Sequence, residues 1–78
     1  MINGLQIKLA RTAVGWGVRD LAEKSGVSFN TVSRFENGSG VQSRTIQALQ
    51  STLEDVGIIF IEEGAQSLEG GAGVRLKG

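Results

Sequence analysis

Apolar residues recur at the three-and-four spacing of amphipathic helices up to Val56, in blocks that end at Gly15, Gly26, Gly38 and Gly57. Leu5, Leu9, Ala13 and Val14 predict a first helix, started by Asn3 with Gln6 three residues behind it. Trp16 falls in the next joint, where a lone tryptophan between two helices reads as a core wedge. Gly17 predicts the cap of a second helix with Asp20 in its first turn; Val18, Leu21 and Ala22 form its inward face, and Arg19, Glu23 and Lys24 stay outside. Ser28 predicts the N-cap of a short third helix, Val32 and Phe35 its buried face, and Asn37-Gly38 its left-handed exit. Residues 39–42 read as a polar loop leading to Ser43 or Thr45 as the next cap. The fourth helix then runs to about Val56 on the stripe Ile46, Leu49, Leu53 and Val56. That stripe predicts a helical cluster shared with Leu9, Leu21, Val32 and Phe35.

Beyond Gly57 the period changes. Ile58-Ile59-Phe60-Ile61 is β-branched and aromatic without polar alternation, the pattern of a strand covered on both faces. A glycine-rich stretch, 64–73, separates it from Val74-Arg75-Leu76-Lys77, which alternates apolar and basic, and together these predict a β-hairpin with a long loop. A two-stranded hairpin is marginal alone in water, so it must pack on its own helices, pair with another chain, or both. We therefore expect residues 1–56 to form the helical domain. Residues 57–78 form the hairpin, with Ile59, Ile61, Val74 and Leu76 as its dimerisation residues. The alternative is that 64–78 is a frayed tail.

Composition narrows the chemistry. A 78-residue chain buries only about 60–65% of its unfolded surface, so a second copy would help to stabilise it. The chain has neither cysteine nor histidine, which removes a disulfide framework and the usual zinc and thiol chemistries; no metal and no cofactor are expected. No apolar run approaches a membrane span and only a few apolar residues precede Lys8, so a cytoplasmic location without membrane association is expected. The net charge is zero but segregated: residues 1–52 carry six Lys and Arg against three Asp and Glu, and residues 53–78 carry two against five. A positive helical part suits contact with phosphate. Glu62 and Glu63 have no convergent partner and read as cross-strand mates of Arg75 and Lys77, so no enzyme is expected.

Opposite Val32 and Phe35, the third helix carries Phe29, Asn30, Ser33 and Arg34. Short hydrogen-bonding groups with one planar cation are the types that read base edges in a major groove. The second helix, the Gly26 turn and this helix follow one another in about twenty residues, the helix-turn-helix arrangement.

The segment GWGVRDLAEKSGVSFNTVSRFENG resembles the core of the Cro/lambda-repressor-type (XRE) helix-turn-helix family. With its flanking helices the likeness covers residues 4–56, and its matched positions are Leu21-Ala22, Gly26-Val27-Ser28, Val32-Ser33 and Phe35-Glu36-Asn37-Gly38. It implies a mainly α fold, a lambda-repressor-like domain of four or five helices, here ending in a β-hairpin where members usually continue with another helix. It also implies that the third helix enters the major groove of double-stranded DNA. Carried over by position, Phe29, Asn30, Ser33 and Arg34 are candidates for bases: Arg34 for a guanine O6/N7 pair, Asn30 for an adenine N6/N7 pair, Phe29 for a thymine methyl. Ser28 and Thr31, the Asn37 backbone, the cap around Ser43, and Arg19 are candidates for the sugar-phosphate backbone, with a solvated Arg19 equally open. Arg44, in the loop before the fourth helix, matches a position that reaches the minor groove or a flanking phosphate. Relatives often place a phosphate-binding glutamine where this chain has Val18. Arg11 and Glu36 match positions that pair as a partly buried, structural salt bridge.

The expected function is a transcription regulator, a small repressor or autoregulator that binds a palindromic operator as a homodimer. The alternative is a protein-interaction module, an antitoxin or anti-regulator built on the same scaffold. Zero net charge, Phe29 on the presented face and Val18 in place of glutamine favour that alternative.

Overall fold

Asn3 starts the first helix by a reciprocal exchange: its side chain accepts from the Gln6 N–H, and its own N–H donates to Gln6 Oε1, both at 2.9 Å. In the computed structural model, which describes residues 1–61 and 73–76, the order is α1 (Gly4–Ala13), α2 (Val18–Ser25), α3 (Phe29–Glu36), α4 (Ser43–Glu54), β1 (Ile58–Ile61) and β2 (Gly73–Leu76). Glu62, Glu63, Lys77 and most of the expected hairpin loop lie outside the described residues.

The local signals set most boundaries. The Asp20 carboxylate accepts from the Gly17 N–H at 2.8 Å and opens α2, and Gly26, at φ +76°, closes it. At the end of α3 the Ser39 N–H donates to the Arg34 carbonyl and the Gly38 N–H to the Phe35 carbonyl, the paired bonds that a left-handed glycine permits. The start of α4 differs from expectation: the capping position is Gln42, and Ser43 is already helical. The Gln42 carbonyl accepts from the Thr45 and Ile46 N–H groups, and no side-chain cap is made.

Ile7, Ala10, Leu21, Val32, Leu49 and Leu53 are fully enclosed, joined by Ile2, Phe35, Ile46 and Ile58. Three expected core positions are corrected. Leu5 and Leu9 are 59% and 42% exposed, because α1 turns the stripe Gly4, Ile7, Ala10 and Val14 inward instead. The lack of a side chain at Gly4 lets α1 approach the backbone of Phe35 and Glu36, and that contact selects the face. Val56 is also exposed: α4 ends at Glu54, the chain turns through Gly57, and Ile58 fills the core position. Trp16 is half-buried against the core as a wedge, with the Lys24 ammonium 5.2 Å from its ring centroid.

The strands pair antiparallel, Ile58 with Leu76, Ile59 with Arg75, Phe60 with Val74 and Ile61 with Gly73. Directly paired residues share a face, so Ile58, Phe60 and Val74 lie against the helices while Ile59 stays exposed. Among the described residues the strand is covered on one face, not both, since they place only one helical layer against it. Arg75 faces Ile59 across the ladder, not an acidic mate. The hairpin shares one core with the helices, through Ile58.

Gln6 ties the hairpin down. It is 1% exposed, and its Nε2 donates to the Ile61 carbonyl at 2.9 Å and the Gly73 carbonyl at 3.1 Å, while Oε1 serves the α1 cap. A buried amide with both ends satisfied holds strands that alone would be marginal. The cap made Gln6 legible as a helix-start residue; its second pair of partners lies 55 and 67 positions away and leaves no local trace.

Candidate nucleic-acid interface

The protruding face is built from α3 upward. Ser28 is extended, its Oγ accepts from the Thr31 N–H at 3.2 Å, and its hydroxyl donates to Thr31 Oγ1 at 2.8 Å. This cap fixes the first turn. Val32 and Phe35 then anchor the helix in the core. On the outer side Phe29, Asn30 and Arg34 are exposed, with Ser33 and Thr31 half-buried between the two faces. Asn30 and Arg34 are four apart and so lie one above the other. Among the described residues neither side chain has a hydrogen-bonding or ionic partner.

The backbone candidates divide. Arg44 is exposed and projects from the first turn of α4, not from the preceding loop; its Nε donates to Gln42 Oε1 at 3.2 Å. Ser43 is exposed beside it. The Asn37 N–H donates to the Ser33 carbonyl at 3.1 Å, so the α3 end has taken the group expected to meet phosphate, and the exposed Asn37 side chain is what remains. Arg19, on the first turn of α2, is exposed with its guanidinium carbon 5.9 Å from the Phe29 ring centroid. The pair borders a shallow depression also lined by Ala22, Glu23, Gly26, Val27 and Ser28. Val18 packs on the core.

A mostly buried fork sets the angle at which α3 is presented. Arg11 Nε donates to Glu36 Oε2 at 2.8 Å and Nη2 to Oε1 at 2.9 Å, while Nη1 donates to the Trp16 carbonyl at 3.0 Å. The side chains are only 14% and 7% exposed. The hydrogen bond to Glu36 raises the Arg11 pKa above its ordinary value against the opposing effect of burial. This bidentate pair couples α1 to the last turn of α3.

The residues expected to pair two copies do not form one patch. Val74 packs on the core of its own chain and Ile61 is half-buried, whereas Ile59 and Leu76 are exposed on opposite faces of the hairpin. Among the described residues no helix is long and apolar enough to cross a membrane.

No curated protein and no solved structure matches the chain at a significant level. A family model described as helix-turn-helix, a family of DNA-binding domains, matches residues 7–60, well over half of the chain. The matched span reaches from α1 through α4 into β1, and the chain belongs to the Cro/lambda-repressor-type helix-turn-helix family.

Proposed function

We propose that this protein is a sequence-specific transcription regulator that occupies a palindromic operator as a homodimer, with half-sites about one helical turn apart. It acts in the cytoplasm by occupancy, as a small repressor or autoregulator. The observation that carries this reading is the division of α3: Val32 and Phe35 lock it from beneath while Phe29, Asn30 and Arg34 stand exposed above. Arg34 is assigned to a guanine, Asn30 to an adenine, and Phe29 and Ser33 to neighbouring base edges. Ser28, Thr31, Asn37, Ser43, Arg44 and Arg19 are assigned to phosphate or the minor groove.

Selection of bound sequences from a random DNA pool tests it. Wild type enriches a two-fold-symmetric site; Arg34→Ala and Asn30→Ala each lose roughly 1–3 kcal/mol and relax one base position per half-site. Enrichment of nothing at low salt would overturn the proposal.

The exposed Phe29 supports a second reading, a protein-interaction module. Salt separates the two. Specific DNA binding weakens by orders of magnitude between low and moderate salt, on a log-log slope set by the phosphates neutralised. Apolar docking through Phe29 does not.

For the dimer, Ile59 on the outer face of the hairpin and Leu76 on its other face each leave exposed apolar surface that a second copy could cover, which supports a hairpin-centred interface. Sedimentation should show the double variant Ile59→Asp, Leu76→Asp as a monomer. An unchanged dimer with native helix content would move the interface elsewhere.

A further inference from the structure

Phe29 is the first residue of α3 and is 47% exposed, although its helix has a buried face available. The Arg19 guanidinium, from α2, lies over the ring with its central carbon 5.9 Å from the centroid. A guanidinium lying over a ring keeps its in-plane N–H donors free at its edge, so it can hold the ring and still meet a second group. The depression beside the pair carries one cation and one carboxylate, Arg19 and Glu23. It therefore lacks the net positive charge of a phosphate pocket. What it presents at the start of α3 is apolar surface from Ala22, Val27 and the ring itself. The apolar group that a base pair shows in the major groove is the C5-methyl of thymine.

We infer that Arg19 and Phe29 work as one unit that reads a thymine C5-methyl group, Phe29 making the contact and Arg19 positioning the ring. This deepens the regulator reading and rests on it. Arg19 is thereby a positioning residue for specificity and not merely one more surface cation.

The test replaces each thymine of the selected operator, one at a time, with deoxyuridine, which removes the methyl and nothing else. Affinity is measured by fluorescence anisotropy at fixed salt. At one thymine per half-site the replacement weakens wild-type binding about fourfold, the worth of one buried methyl. Phe29→Ala binds the thymine and uracil operators alike. Arg19→Ala also brings the thymine-to-uracil ratio towards one, beyond any uniform loss of affinity from a lost phosphate contact, which cancels in the ratio. Both side chains are on the surface, and circular dichroism verifies that the helices persist.

An Arg19→Ala variant that keeps the fourfold ratio overturns the unit. Equal wild-type affinity for both operators overturns the methyl contact while leaving DNA binding standing. A wild-type chain that binds no duplex overturns this inference and the regulator reading together.

Discussion

Glu36→Ala should destabilise the protein by about 3–5 kcal/mol, a large part of the roughly 4–12 kcal/mol expected for a domain of this size. Arg11 and Glu36 are 14% and 7% exposed and share two hydrogen bonds. Removing the carboxylate leaves a buried guanidinium with the Trp16 carbonyl as its remaining hydrogen-bond partner, an uncompensated charge that water reaches poorly. In thermal denaturation each kcal/mol lowers the melting temperature by about 4–8 °C for a domain of this length, so the loss is unmistakable. The control is the double variant Arg11→Met, Glu36→Leu. It removes both charges and keeps the volume, and should cost far less, because much of what the pair gains is spent on desolvating its members. Equal damage in urea unfolding would show that packing, not the unpaired charge, sets the cost.

Gly4→Ala should cost about 3 kcal/mol, at the top of the range for overpacking. In an ordinary helix interior the same change gains up to about 1 kcal/mol. Here the new Cβ would overlap the Phe35 carbonyl oxygen and lie 2.7 Å from the Phe35 carbonyl carbon and 3.0 Å from Glu36 Cα. All three are backbone atoms of the last turn of α3, and none can rotate aside. The helices must part, which draws Glu36 away from Arg11. Gly40→Ala, in open space at a position without positive φ, is the matched control and should be near neutral. Because Gly4 and Glu36 act at one junction, the two losses should add to less than their sum. Strict additivity in chemical denaturation would separate the two contacts.

That junction links stability to the surface proposed to meet DNA. Arg11 to Glu36 and Gly4 to Phe35 both hold the C-terminal turn of α3, while the Ser28 cap holds its first turn. The exposed Asn30 and Arg34 lie between these two anchors. If the proposed function holds, variants at the junction should therefore disturb operator binding without altering any of the proposed base-contacting residues.

Much of the candidate site was legible without coordinates. The exposed face of α3 follows from Val32 and Phe35 at helical spacing, and the Arg11–Glu36 pair follows from family resemblance. Less legible was which backbone donors remain available. Asn37 loses its N–H to the α3 carbonyl ladder, and Arg44 belongs to α4 because the helix is already under way at Ser43, ahead of either expected cap, Ser43 or Thr45.

The amino-acid sequence by itself determined where the first three helices begin and where α3 ends. Asn3 with Gln6, Gly17 with Asp20, Ser28, and Asn37-Gly38 act within about four residues of themselves, and such short-range bonds need no knowledge of the rest of the chain. Only the tertiary structure decided which way each element faces. Two stripes on α1 carry enough apolar side chains to be buried, and the close approach at Gly4 chose the one without Leu5 and Leu9. The same holds for Ile58 replacing Val56 in the core, for the single covered face of the hairpin, for Gln6 reaching Ile61 and Gly73, and for Arg19 lying over Phe29. Each depends on distances between segments remote in sequence, which packing sets and local pattern does not encode.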